Sequence, residues 1–371
     1  MYKICHLTSV HPRYDHRIFF KECSSLFSAG FDVTLIVADG DGIEEKNGVK
    51  IVGVGKTIDS RLSRMTRTVW QLFENALKVD ANIYHFHDPE LIPVGLLLKI
   101  KGKKVIYDVH EDLHRQIMSK YYIPLRLRSM VSKTANLAEK VAAWALNGIV
   151  AATPNIANRF PAHKTVTVQN FPIMGELFIP QPVPYNRRPL DLAYVGGITD
   201  IRGAREMVQA VDLLPKDLDV YLILAGNFMS ESLRYEIKYM PGWQKVCYKG
   251  FISREKVAKI LGQVKLGLLL FHPEPNHIAA QPTKLFEYLS AGLPVVASDF
   301  PLWREIIDGA KCGLLVDPLD VKAIAEAIIW LLENPHEAEL MGKRGQEAIY
   351  QKFNWNTEAE KLIACYNVLI S

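Results

Sequence analysis

Short apolar runs alternate with amphipathic stretches along almost the whole chain. The runs at 3–9, 33–38, 49–53, 82–86, 104–108, 148–152 and 165–169 read as strands. Between them, near 16–29, 62–79, 90–101 and 124–146, apolar residues recur at the spacing of a helix with one buried face. A stretch with five prolines (172, 180, 182, 184 and 189) and little periodicity then reads as a linker. After it the alternation restarts, with strands near 191–195, 219–225, 245–249, 266–270, 294–297 and 313–316, and helix from about 319 onward. Strand–helix alternation predicts parallel sheets covered by helices on both faces. The expected organisation is α/β: a Rossmann-like domain over 1–171, a linker over 172–189, a second doubly wound domain over 190–355, and a last helix over 356–371 returning to the first. Two such domains place a ligand cleft between them, at the carboxyl ends of their strands.

Composition narrows the class. A chain of 371 residues suits two domains of ~150–200 residues. Five scattered cysteines, with no metal or redox spacing, fit a reducing compartment. The first residues run straight into a strand, so no signal peptide is expected, and no apolar run approaches the ~18–20 residues of a membrane span. The expected location is cytoplasmic. The net charge of +4 hides an asymmetry: residues 1–175 hold 23 Lys+Arg against 16 Asp+Glu. Basic residues gather at Arg61, Arg64 and Arg67 and at Lys120, Arg126, Arg128 and Lys133, the second set interleaved with Tyr121, Tyr122, Ile123, Leu125 and Leu127. Both a peripheral contact with anionic lipid at the inner face of the plasma membrane and the solvated side of ordinary helices fit this pattern. Nucleic acid does not, since the excess is modest and no binding motif accompanies it.

The most informative segment is Pro282-Thr283-Lys284-Leu285-Phe286-Glu287-Tyr288-Leu289-Ser290-Ala291-Gly292-Leu293-Pro294-Val295-Val296-Ala297-Ser298. Pro282 suits the first helical position, Gly292 the left-handed residue past the helix end, and Val295–Ala297 a buried strand. A carboxylate at Glu287 can accept two hydrogen bonds from a vicinal diol. The helix N-terminus at Thr283, with Lys284, suits a diphosphate. The plain structural alternative pairs Glu287 with Lys284 on a solvated face.

This segment resembles the donor-site signature of the retaining GT-B glycosyltransferases of family 4, in which the glutamate binds the donor ribose. The resemblance reaches nearly the whole chain and implies a GT-B fold. Within it, Gln281, Thr283, Lys284 and Leu285 are implied to bind the donor. Gly196-Gly197, followed by Arg202, ends the first strand of the second half; paired glycines allow close backbone approach, and Arg202 can fork onto a diphosphate. The family usually has Arg where Gly197 stands and Lys where Arg202 stands. Asn227, Phe251 and Ile252 follow strands and would border the base. The family's second glutamate is absent: Ala279 holds its place, and Glu274 in the same Pro-rich loop reads either as a substitute or as an exposed loop residue.

In the first half, His11-Pro12-Arg13-Tyr14-Asp15-His16-Arg17 follows the first strand. Asp15 suits a helix N-cap, and Arg13 and Arg17 a phosphate or an anionic acceptor. The His-Pro…Asp-x-Arg pattern resembles a family branch acting in surface-polysaccharide synthesis. His85-Phe86-His87-Asp88-Pro89 and Asp108-Val109-His110-Glu111 end two later strands. Period-two geometry puts His85 with His87 and Asp108 with His110, a set of metal-ligand types without a further cluster. The resemblance instead assigns His110 to the donor's sugar-phosphate, with His87, Asp88 and Glu111 on the acceptor side. Asp39-Gly40-Asp41 copies a metal motif of another glycosyltransferase fold but reads as a loop.

The expected activity is transfer of a sugar from a nucleotide-diphosphate donor to a hydroxyl with retention, without an obligatory metal or cofactor. Arg202, Lys284 and His110 are the expected catalytic groups. By analogy the acceptor is a glycan or lipid-linked glycan of capsule, O-antigen or exopolysaccharide. A nucleotide-sugar epimerase of the same fold, or a non-catalytic subunit, would share these features.

Overall fold

The computed structural model describes residues 1–55, 64–110, 117, 124–176 and 183–371. Glu111, Asp112, Arg61, Lys120, Tyr121, Tyr122 and Ile123 lie outside them, as do Pro180 and Pro182 of the linker and the side chains of Arg64 and Leu125–Leu127. Its contacts divide the chain into two units, Met1–Asn170 with Trp355–Ser371, and Phe171–Asn354.

The first unit is built on β1 (Lys3–Thr8), β2 (Asp32–Val37), β3 (Ile43–Lys46), β4 (Val49–Gly53), β5 (Ile83–Phe86), β6 (Lys104–Val109), β7 (Gly148–Ala151) and β8 (Thr165–Thr167). They pair in the order β3-β4-β2-β1-β5-β6-β7-β8, parallel except for β3 against β4. Burial of β1, β5, β6 and β7 on both faces explains their continuous apolar sequence. β3 was not expected. Its residues are largely exposed, so it carries no hydrophobic signal, but Asn47 and Gly48, both at positive φ, make the tight turn into β4. The helix Trp355–Ile370 packs against β7 and β8, with Trp355 Nε1 donating to Ser25 Oγ and Glu358 accepting from the Gln169 amide.

The second unit carries β9 (Leu192–Val195), β10 (Leu222–Ala225), β11 (Val246–Gly250), β12 (Leu266–Leu269), β13 (Val295–Ser298) and β14 (Gly313–Val316), all parallel in the order β11-β10-β9-β12-β13-β14. Pro282 is the N-cap of the helix Thr283–Ser290, one residue earlier than its expected place. Gly292 has φ +70°, the left-handed conformation expected of it.

In each sheet the chain starts in the middle and reverses direction. The reversal lies between β1 and β5 in one unit and between β9 and β12 in the other. Loops at these switch points diverge to opposite faces and leave a crevice at the strand ends. The candidate residues lie at or beside them.

Candidate functional site

In the second unit the backbone turns sharply after β9. Gly196 has φ +127°, and a Cβ there would come within 2.7 Å of Lys284 Nζ, so the bare glycine is what admits the lysine. Lys284 sits over the rings of Tyr194 and Phe271, each 5.6 Å from the ammonium. It has no ion pair or hydrogen bond among the described residues. Burial and the neighbouring Arg202 lower its pKa to about 8. Arg202 lies over the other side of the site, 5.5 Å from the Phe271 ring, with Nη1 donating to the Gly197 carbonyl at 3.2 Å. A Cβ on Gly197 would stand 2.9 Å from that nitrogen, so Arg202 fills the space a side chain at 197 would enter. Two cations thus converge on a glycine turn beside the N-terminus of a helix.

Glu287 is 9 % exposed, and its partner is neither solvent nor Lys284. Arg254 Nη1 donates to Glu287 Oε1 at 2.7 Å, and its Nε and Nη2 hold Glu176. Arg254 starts the helix Arg254–Leu261, capped by Ser253. The plain surface pairing of Glu287 with Lys284 is therefore corrected: the carboxylate is oriented by an arginine from another helix. Among the remaining donor-side residues, Asn227, Phe251 and Thr283 are exposed, and Ile252 and Gln281 are half-buried. Leu285 belongs to the core at 0 % exposure, so only its backbone is free to serve a ligand. Glu274 is the exposed N-cap of the short helix Pro275–Ile278, which ends at Ala279.

In the first unit Asp15 caps the π-helical stretch His16–Cys23, accepting from the Arg17 and Ile18 amides at 2.8 and 2.9 Å. Arg13 and Arg17, expected to meet a phosphate or an anionic acceptor, turn inward instead. Arg13 grips Asp39 with Nε and Nη2 and reaches Glu44 and the Gly42 carbonyl. Arg17 forks onto Asp108 at 2.9 and 2.8 Å. A guanidinium buried with a matching carboxylate stays with it, because parting them strands both charges in a poorly solvating medium. The Asp39-Gly40-Asp41 segment is a loop, as its sequence suggests.

His87 and Asp88 are also buried, at 1 % and 3 % exposure. Asp88 stands at the N-cap position before Pro89, but its carboxylate accepts from Thr8 Oγ1 and the Ser9 amide instead of capping. His87 bridges inward, Nδ1 to Asp108 at 3.0 Å and Nε2 to His6 at 2.9 Å. His110 is half-buried at the end of β6, with Nε2 3.0 Å from His11 Nε2. Two sets, His6, Glu22, His85 and His87, and His87, Asp108 and His110, sit closely enough to share an ion. In both, nitrogens that would face it already meet a ring nitrogen or a carboxylate. Arg17 Nε lies 3.0 Å from Oε1 of the buried Glu22, yet burial with Asp108 nearby outweighs it and pushes the carboxyl well above the ordinary range.

Residues 178–348 match the family described as "Glycosyl transferases group 1", and residues 20–169 match "Glycosyltransferase Family 4". The chain is a family 4-type glycosyltransferase of the GT-B class. It is an enzyme that transfers sugar. The glycosyltransferase is 24% identical over 302 residues to the D-rhamnosyltransferase WbpZ of Pseudomonas aeruginosa, covering 76% of this chain and 72% of the relative. It is 25% identical over 182 residues to O-antigen chain mannosyltransferase B of Escherichia coli, covering 47% and 45%. The structure of Anabaena HepE in complex with UDP superposes with a TM-score of 0.75 at 14% identity, over 99% of this chain and 100% of the other, which shows the shared fold.

Several participants in this glycosyltransferase were missed from its sequence. Arg254 and Glu176 carried no motif, and only the fold brings them to Glu287. His6, Glu22 and Tyr366 lie on three separate elements and meet beneath the β1–β5 switch point. His11 stood in the quoted motif, and its place after β1 was the signal that it faces the strand ends.

Proposed function

We propose that this glycosyltransferase moves a sugar from a nucleotide-diphosphate donor to a hydroxyl, with retention at the anomeric carbon and without a metal in the chemical step. The supporting observation is the pair Arg202 and Lys284, two cations converging on the Gly196 turn with no carboxylate bound to either among the described residues. Holding like charges together unneutralised is costly, and a diphosphate repays that cost by binding. As the bond to the sugar breaks, charge grows on the leaving diphosphate, and the same cations with the Thr283 helix N-terminus stabilise it. Glu287, aimed by Arg254, receives the ribose diol; Gly197, Asn227, Phe251, Ile252 and Gln281 border the nucleotide. His110 is assigned to the sugar being moved. A nucleotide in the crystal of the similarly folded HepE fits this reading.

The acceptor we propose is a lipid-linked glycan of a bacterial surface polysaccharide, in line with the O-antigen mannosyltransferase relative. The helix Leu125–Ala145 supports contact with a membrane surface. Met130, Leu137, Val141 and Trp144 lie on one stripe of it, 58–79 % exposed, with exposed Lys133 and Lys140 beside them. No described helix is long and apolar enough to cross a membrane.

Thermal unfolding with UDP, GDP, ADP and dTDP tests the donor assignment. One of them is expected to stabilise the protein by about 2.7 kcal/mol at a hundredfold excess over its Kd, and Arg202→Ala and Lys284→Ala should each remove most of that gain. No stabilisation by any of the four, or an undiminished one in both variants, would overturn the assignment.

A further inference from the structure

Hydrogen-bond direction locates the protons in the first unit. Asp108 is fully buried and held ionised by Arg17, and a carboxylate only accepts. His87 Nδ1, 3.0 Å from Asp108, therefore carries a proton, and its Nε2 offers a lone pair. His6 Nδ1–H meets that lone pair at 2.9 Å. His6 Nε2 accepts from the Tyr366 hydroxyl at 3.2 Å, whose oxygen accepts from His85 Nδ1–H at 2.8 Å. Each of these bonds has one donor and one acceptor, and all three rings are neutral. Burial, which lowers the pKa of all three, agrees.

The outer end of the cluster cannot be balanced in that way. His11 and His110 face each other, Nε2 to Nε2, at 3.0 Å. His11 Nδ1 is hydrogen-bonded to Asp15 Oδ2 at 3.3 Å, while His110 Nδ1 lies 3.5 Å from Asp108 Oδ2 without a hydrogen bond among the described residues. Asp88 Oδ1 is 3.5 Å from His11 Nε2 as well. Two neutral rings supply two protons for three positions. Either two lone pairs then oppose each other at 3.0 Å, or a lone pair is aimed at a carboxylate. A third proton removes both conflicts.

We propose that His11 holds both of its ring protons at neutral pH, Nδ1–H toward Asp15 and Nε2–H toward His110 Nε2, and that it is a positioning residue fixing the tautomer of His110. His11 carries the positive charge among Asp15, Asp88 and Asp108. Among the described residues, Arg17 behind Asp108 and the His87 ring 6.4 Å from His110 are the other groups facing it. Burial opposes the charge on His11; the Asp15 hydrogen bond and the three carboxylates outweigh it and raise its pKa. The function builds on the assignment of His110 to the transferred sugar. A proton held on His11 Nε2 engages the His110 Nε2 lone pair and so fixes which ring nitrogen of His110 carries its own proton.

Imidazole nitrogen NMR on the intact, histidine-labelled chain reads the protons without substrate. His11 is expected to show two protonated nitrogens at pH 7, its signals assigned by their loss in His11→Gln. One bare nitrogen on His11 at pH 7 overturns the proposal. The positioning role is read separately from kinetics. His11→Gln cannot hold the extra proton, and its amide can turn either oxygen or nitrogen to His110, so kcat should fall ~10-fold or more with donor KM changed little, and the limb of the pH profile due to His11 should vanish. A parental kcat and pH profile in a folded His11→Gln overturns that role. His110→Gln separates the underlying assignment: parental kcat there sinks the placing of His110 on the sugar, whatever the proton count proves to be.

Discussion

Lys284 is a cation half-buried next to another cation, which makes its charge sensitive to pH. With its pKa lowered to about 8, the ammonium is fully charged only below that value. Donor KM is therefore expected to climb by about tenfold per pH unit once pH passes 8, and Lys284→Arg should flatten the rise, because a guanidinium keeps its charge. The free protein responds in the opposite sense. A lysine whose folded pKa lies below 10.5 binds fewer protons folded than unfolded between about 8 and 10.5, so its contribution to stability improves as pH rises through that range. The melting temperature of the parent should therefore rise relative to that of Lys284→Met as pH goes from 8 to 10; parallel curves would place the ammonium in open solvent. At Glu287 the expected change is larger. Glu287→Gln keeps the shape but swaps one acceptor oxygen for a donor facing the ribose and weakens the grip of Arg254. We expect kcat/KM to fall by roughly 10²–10⁴, with folding intact and less discrimination against deoxyribose donors. Parental kinetics in this variant would reduce Glu287 to a structural partner of Arg254.

The helix Leu125–Ala145 shows how one element serves two surroundings. Its inner face buries Ser132, Glu139, Ala142 and Ala143, with Glu139 paired to Arg159 and hydrogen-bonded to Tyr107. Its outer face leaves Trp144 79 % exposed, an arrangement without an evident use in water. Reversing Lys133 and Lys140 to Glu together is expected to lower binding to phosphatidylserine vesicles by about tenfold or more, since each cation near an anionic surface contributes ~1 kcal/mol. Trp144→Ser should weaken binding to neutral vesicles too, and neither change should shift the melting temperature by more than a degree or two. Vesicle binding equal to the parent's in both variants would make the stripe a merely solvated face.

Across the whole molecule, the end of the chain completes the interior of its beginning. Tyr366, from the last helix, joins His85 to His6 within the first sheet. Tyr366→Phe keeps the ring but leaves two buried nitrogens unpaired, a cost of about 1–3 kcal/mol each, read as a lower melting temperature of the first unit. The same cluster sets the response to acid. His6, His85 and His87 have folded pKa values below 6.5, so the unfolded chain takes up more protons and stability falls as pH drops below that value. Asp15 and Asp108, held below their ordinary range against burial by His11 and by Arg17, add a further loss at lower pH. Glu22, neutral when folded, opposes this slope above 4.5, but as one group against three. His11 adds stability below 6.5 that fades as pH rises through its folded pKa. Acid unfolding should therefore begin well above the range of ordinary carboxylates. In turnover assays, EDTA should leave the rate unchanged; a rate lost with EDTA and restored by a divalent ion would contradict the metal-free step.

Strand positions were legible along the chain because a strand buried on both faces must be apolar throughout, whatever packs against it. The runs read at 3–9, 104–108 and 148–152 are those of β1, β6 and β7, and most others agree within a residue or two at either end. Helix grammar likewise located Asp15 as a cap and Gly292 as a left-handed stop, since both depend on neighbouring backbone alone. The exposed β3 escaped, having no apolar face to announce it. Side-chain commitments were decided elsewhere. Arg13 and Arg17 looked free for a ligand until folding brought Asp39 and Asp108 to them, while the alternative that paired Lys284 with Glu287 fell when Arg254 took the carboxylate. Local spacing determines which residues share a helix or a strand face. Which charge finds a partner, and which stays unpaired to bind something else, depends on residues that meet only when the sheets assemble.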